Sequence, residues 1–222
     1  MSASKILGFV SILSLSLFSL ASPTAAGPAI SFTSVTASYT DGAGRNIGWE
    51  FTPNANLSVS RLGFFDDGGD GLNTDHDVAI YTGAGSLVTS GNVAAGTLAT
   101  LSGGFRWVDV SPITLNAGQL YVIDALNTAS GDPWAWNGGI AGVDLVDLTV
   151  ADFLQVGAPG SARYNCCSET AIAFPATSIG DNRYLFVGAN FDATAIPEPA
   201  SALVLAGGLI VLSLGRRLRQ GI

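Results

Sequence analysis

The chain has 222 residues, with 17 acidic side chains against nine lysines and arginines and a formal net charge of −8. Such a field makes nucleic acid and anionic membrane surfaces poor partners and leaves calcium, cationic surfaces and neutral sugars open. One histidine and two cysteines leave little material for a zinc site or a histidine-based triad.

At the start, Lys5 precedes the apolar run Ile6–Leu20, which gives way to small and turn-forming residues up to Gly27. This charged, apolar, small-residue order predicts a secretory signal peptide over residues 1–26, with Thr24 and Ala26 before the cut. A permanent anchor is the alternative, but a run this short rarely spans a bilayer.

Residues 27–195 suit one extracellular domain with a sizeable core. They hold five arginines (Arg45, Arg61, Arg106, Arg163, Arg183), no lysine and 16 acidic residues, a net −11. Glycine is abundant, polar turn residues separate short apolar runs, and no sustained helical period appears, which predicts an all-β fold. Strands are expected at Ile30–Ala37, Asn46–Thr52, Leu57–Phe65, Asp77–Thr82, Ser86–Ser90, Thr97–Leu101 and Phe105–Val110. Further strands are expected at Gln119–Ala125, Glu169–Phe174 and Arg183–Phe191, the last with Leu185, Val187 and Ala189 on one face and Tyr184 and Phe186 on the other. Their spacing suits a single antiparallel β-sandwich or jelly-roll-like domain, flanked by an N-terminal signal helix and a C-terminal hydrophobic helix. Residues 140–157 fit either strand or a short helix.

Within that domain the loop 66–77 concentrates Asp66, Asp67, Asp70, Asp75 and Asp77 among glycines. Clustered oxygen ligands on flexible backbone suit calcium, although the spacing is not that of an EF-hand. The alternative is a solvated acidic turn. His76 shares strand parity with Val78 and Ile80 and reads as a half-buried strand-end residue rather than a base. Trp134 and Trp136, two apart, would share a face in an extended segment. They could stack on sugar rings, with Asp132 and Asn137 contacting hydroxyls; the blander use is to fill the core, as expected for Trp49 and Trp107. The adjacent Cys166 and Cys167 leave a vicinal disulfide, intermolecular pairing and free thiols all open. No nucleophile elbow, HExxH or phosphate-binding loop appears, so the chain reads as a non-enzyme, with a small carboxylate-dependent glycoside hydrolase as the alternative.

After the domain, Pro197-Glu198-Pro199 opens an extended stretch, followed by the apolar run Ala200–Leu214 and then Arg216, Arg217 and Arg219. Fifteen helical residues cover roughly 22 Å of a hydrocarbon core near 30 Å, marginal for a lasting anchor. The arginines would stay cytoplasmic, leaving everything before Pro197 outside.

The tail PEPASALVLAGGLIVLSLGRRLR resembles the PEP-CTERM sorting signal of Gram-negative, exopolysaccharide-producing bacteria. That resemblance assigns residues 196–222 to a sorting tail and implies transient insertion in the inner membrane and processing by an exosortase near Pro197-Glu198-Pro199. Signal peptidase is the partner expected at the other end. The stretch GFFDDGGDGLNTDHDVAIYTGAGSLVTSGNVAAG, followed by GGFRWVDVSPITLNAGQLYVI, is similar to a β-sandwich domain of unknown function that recurs in bacterial surface proteins. It implies an extracellular fold in carbohydrate-associated surroundings and transfers no catalytic residues. The expected function is therefore that of a secreted or cell-surface protein, either a carbohydrate-binding module in exopolysaccharide or a purely structural matrix component.

Overall fold

The computed structural model describes residues 26–40, 42–128, 131–137, 145–157, 160–180 and 185–197, all within one compact unit, Pro23–Pro197. Both expected terminal helices lie outside the described residues. So do Glu198, Pro199, Arg216, Arg217 and Arg219.

The described chain is built of strands, with a single 3-10 turn at Asp67–Gly69. The first are β1 (Gly27–Pro28), β2 (Ile30–Ser31), β3 (Ser34–Val35), β4 (Arg45–Pro53) and β5 (Leu57–Phe65). Next come β6 (His76–Thr82), β7 (Leu87–Val93), β8 (Thr100–Ser102), β9 (Phe105–Leu115) and β10 (Tyr121–Asn127). Five short strands follow: β11 (Ala135–Asn137), β12 (Leu145–Val146), β13 (Thr149–Val150), β14 (Leu154–Val156) and β15 (Ala162–Cys166). The last are β16 (Thr177–Ser178), β17 (Leu185–Val187) and β18 (Ala189–Ala195).

Two antiparallel sheets dominate. One has the order β1-β18-β5-β9-β8; the other runs β16-β15-β4-β10-β6-β7, with β14 also on β4. They face each other across a core that includes Trp49, Phe51, Ile80 and Ile123 from one side and Leu57, Phe64, Phe105 and Phe191 from the other. Trp49 stacks on Phe191 at 6.2 Å, Phe51 meets the same ring at 4.8 Å, and the Trp49 indole N–H donates to the Ala189 carbonyl at 3.2 Å. Trp49 and Trp107 are both buried, as their strand positions predict.

In β5 the alternation flips partway along. Leu57 and Val59 face the core, and so do Leu62 and Phe64, because the register with β9 slips between Val59 and Arg61. Against β18 on its other side, β5 carries one extra residue there, with Val59 and Arg61 opposite the consecutive Ala193 and Asp192, a β-bulge that restores the apolar face after the slip. Arg61 is left outside, paired with Asp192 and over the Trp107 ring.

Several expected elements differ, among them Arg183–Phe191, whose described part is two strands, β17 and β18, in different sheets. Ile30–Ala37 is broken into β2 and β3, which pair with β13 and β12 respectively. The stretch 140–157, open between strand and short helix, holds in its described part the three short strands β12, β13 and β14. Glu169–Phe174 is irregular. Its main chain crosses the outer face of the larger sheet as a strap. The Asn46 amide donates to Ala171 O at 3.1 Å and accepts from Ala173 N at 3.2 Å. Asn165 does the same with Phe174 O (2.8 Å) and Ala176 N (3.0 Å). Side-chain amides thus supply the partners that a neighbouring strand would otherwise give. At its end Phe174 packs on Tyr81 and lies where a side chain on Gly85 would stand, so that turn, with φ +89°, needs glycine.

Because Phe191 joins both sheets, Phe191→Ala is expected to cost about 3–5 kcal/mol, the range for a buried ring truncated without collapse. Urea denaturation would read this as a lower midpoint with an unchanged m-value.

Candidate functional site

The start of β4 places Arg45 and Ile47 at one end of the larger sheet, and β15 sets Tyr164 opposite Ile47. Pairing of β11 with β17 sets Trp136 opposite Phe186. Tyr39 and Trp134 exchange two backbone hydrogen bonds, at 2.8 and 2.9 Å. These four connections surround a cavity of about 310 Å³ lined by Tyr39, Arg45, Ile47, Trp134, Trp136, Tyr164, Ile179 and Phe186. Ile47, Trp134 and Phe186 are its buried floor, and Tyr39, 43% exposed, forms its lip.

The rings are ordered by mutual contact. Trp134 and Trp136 meet edge to face at 5.4 Å, Tyr39 stacks on Trp136 at 5.8 Å with planes 19° apart, and Trp134 meets Phe186 at 5.1 Å. Such edge-to-face and offset arrangements are the favoured ones, and they hold each ring against its neighbours. A concave, mostly aromatic cavity with a guanidinium and phenol hydroxyls among its lining is suited to a ring-shaped ligand carrying hydroxyls.

The expected sharing of a face by Trp134 and Trp136 is therefore seen. Its two polar companions are elsewhere. Asn137 sits in β11 opposite Leu185. Asp132 is buried, and its carboxylate accepts hydrogen bonds from Asn73 N (2.8 Å), Asn73 Nδ2 (3.0 Å), Thr74 N (3.1 Å) and His76 Nε2 (2.8 Å). It is a structural anchor and lies outside the lining of the aromatic cavity. Burial pushes this carboxyl upward, but the Asn73 N–H, the His76 ring and the Thr74 N–H outweigh it and hold it below the ordinary carboxylate range.

His76 is fully buried rather than half-buried. Its Nδ1 faces the Leu126 carbonyl at 3.0 Å, and its ring lies flat on Phe64 at 3.6 Å. Its two ring nitrogens thus face two oxygen atoms, the Leu126 carbonyl on one side and the Asp132 carboxylate on the other.

The acidic loop does not converge. Asp66 is buried against Arg106 Nε at 2.7 Å and accepts from Gly71 N at 3.2 Å. That guanidinium also donates to Thr97 O, Ala99 O and Gly69 O. Asp75 accepts from Ala95 N and Asp77 from Asn92 Nδ2, each at 2.8 Å. Asp67 and Asp70 line a polar cavity of about 370 Å³ together with Asp66 and Asp132. Among the described residues, no group of three or more His, Cys, Asp or Glu side chains is placed to hold a metal ion. Cys166 and Cys167 are joined to each other by a disulfide across a cis peptide. Pro197 follows directly on Ile196, whose N–H donates to Asn56 O at 2.7 Å. Among the described residues no helix is long and apolar enough to cross a membrane.

Sequence reasoning missed Tyr39, Tyr164 and Arg45, which reach the cavity from three separate segments. Only Phe186 carried a signal, since its parity opposed that of Leu185 and Val187. It also missed Asp124, whose side chain is fully buried beneath the Glu169–Phe174 strap, with no hydrogen bond to either oxygen. Burial drives that carboxyl well above its ordinary range and the charge of Glu169 adds to the effect, opposed by the nearby Ala125 backbone N–H. Burial, Asp124 and Asp77 together push the Tyr81 hydroxyl to about 12.

Fold and cavity together define an antiparallel β-sandwich that carries a concave aromatic site at one end. The chain matches the model of the domain of unknown function DUF4082 over residues 31–186 and belongs to that family. No curated protein matches it.

The two buried acids bend stability in opposite directions. A carboxyl raised on folding binds its proton more tightly in the folded state. Asp124 therefore costs stability as pH rises from the ordinary carboxylate range towards its folded pKa, by up to about 1.4 kcal/mol per pH unit. Asp132, lowered on folding, contributes stability above that range and loses it as pH falls. Asp124→Asn should remove the alkaline-side decline and leave the acid-side loss, which urea denaturation between pH 3 and pH 9 would reveal. An unchanged profile would contradict the assignment.

Proposed function

We propose that this is a non-catalytic protein of the bacterial cell surface whose aromatic cavity binds carbohydrate of the surrounding exopolysaccharide. The observation that carries the reading is the cavity itself, in which Tyr39, the neighbouring Trp134 and Trp136, and Tyr164 approach from three segments to one concave surface. Its size lies at the lower end of the range for small-ligand sites, roughly 300–1,000 Å³, which suits one or two sugar rings. The acidic surface, net −11 between residues 27 and 195, favours neutral glycans over anionic ones.

The reading is tested by electrophoresis of the full chain, in mild detergent, through gels holding dextran, a soluble β-glucan or alginate. Wild type is expected to be retarded by a neutral polymer. Trp136→Ala, which removes a half-buried wall, should weaken retardation at least tenfold with little change in melting temperature. Equal retardation of both proteins would discard the cavity as the site, and release of reducing ends by wild type would point to the hydrolase instead.

The resemblance of the tail to a PEP-CTERM signal supports export through the signal peptide, transient lodging in the inner membrane and cleavage by an exosortase near Pro197. Replacing Pro197-Glu198-Pro199 by three alanines should leave a full-length, membrane-held precursor in a host that carries an exosortase. Identical processing of the two forms on an immunoblot would refute this route.

A further inference from the structure

Trp134 stands on the connection that leaves β10 after Asn127, and Trp136 follows in β11, which begins at Ala135. Among the described residues of that connection, Asp132 ties it to the rest of the domain. There the carboxylate receives the four hydrogen bonds from Asn73, Thr74 and His76 described above, while Asn127 Nδ2 donates to the Asp132 carbonyl at 3.3 Å. The hydroxyls of Thr74 and Thr128 meet at 3.1 Å and tie the same two segments together again. Two residues beyond Asp132, Trp134 makes its backbone bridge to Tyr39, and Trp136 follows in β11.

The other side of this contact is rigid. His76 opens β6, is fully buried, and is fixed in orientation both by its second hydrogen bond, to Leu126 O, and by its flat contact with Phe64 of the facing sheet. A hydrogen bond to a buried carboxylate is charge-assisted, and so short and strong. The position of Asp132 is therefore dictated by the sandwich core. The indoles lie only two and four residues further on, so the core's geometry is handed directly to the cavity. Sites whose walls are held in place before binding avoid the ordering cost that a loose wall would incur.

We infer that Asp132 and His76 form a positioning latch, which sets Trp134 and Trp136 against Tyr39 and so holds the cavity ready for its ligand. The inference rests on the carbohydrate reading of the cavity for the ligand's identity, though not for the arrangement of the rings. Neither Asp132 nor His76 lines the cavity, so they act through the indoles. Asn73, which gives two of the carboxylate's hydrogen bonds, belongs to the same latch.

The test uses the full chain in mild detergent and compares Asp132→Asn and the milder Asn73→Ala with Asp192→Asn. The last variant breaks a different ion pair, with Arg61 on the other sheet, and controls for general loss of stability. Two indoles 5.4 Å apart couple excitonically, and the amplitude of that circular-dichroism couplet reports their mutual geometry. Asn73→Ala should reduce the couplet and weaken retention by the neutral polysaccharide that wild type binds by about threefold. Asp132→Asn should weaken it by tenfold or more, and Asp192→Asn should leave both readouts unchanged whatever its melting temperature. Should Asp132→Asn fail to fold, Asn73→Ala alone decides. An unchanged couplet and affinity in the latch variants, or an equal change in Asp192→Asn, overturns the inference. If wild type binds none of the polymers, the carbohydrate reading falls while the couplet still decides the latch.

Discussion

The structure depends first on the contact of Trp49 and Phe51 with Phe191. A sheet in isolation leaves one apolar face in water, and here strand β4 presents that face to β18 through stacked aromatic rings and one indole hydrogen bond. Because β4 also pairs with β10, β14 and β15, the same strand fixes the order of the larger sheet. Its alternation puts Ile47 two residues before Trp49, at the mouth end, where it becomes cavity floor instead of core. One strand therefore sets both the stability of the sandwich and the location of its concave site.

The central strands were legible because their side chains alternate and each ends at a turn. The expected limits of Leu57–Phe65 coincide with the strand, β4 runs one residue further at each end, and β6 begins one residue earlier. The bulge inside β5 was hidden, since a register slip changes which neighbours a residue meets without changing the residue types. Glu169–Phe174 misled for another reason: its apolar alternation is real, but its backbone is satisfied by Asn46 and Asn165, and the link to Asn46 spans more than 120 residues of chain. For the site, two of its eight lining residues were visible as a pair of tryptophans. The others come from distant segments whose convergence is a property of the topology.

The acidic composition shows the same limit from the side of electrostatics. Counting carboxylates in the loop after β5 suggests repulsion that a cation would relieve. The folded chain relieves much of it internally: Arg106 takes Asp66, backbone amides and Asn92 take Asp75 and Asp77, and the lone histidine takes Asp132. Removing one partner of a buried pair is costly because the other charge is left dry and uncompensated. The buried pairs Asp66–Arg106 and Asp132–His76 therefore constrain the loops more firmly than the exposed contacts of Asp75 and Asp77 could.

The last strand lies beyond the stretch matched by the family model, which ends at Phe186. Yet β18 is flanked on both sides, by β1 and β5, and it runs straight into Pro197. The cavity lies at the Arg45 end of β4, whereas Pro53 and the Asn56 contact of Ile196 lie at the other, about 26 Å away at 3.3 Å per residue. A pull between a ligand in the cavity and a tether at Pro197 would thus run lengthwise along the sandwich. It would load the β18–β5 hydrogen bonds in shear, all resisting together, instead of opening them one at a time like a zip.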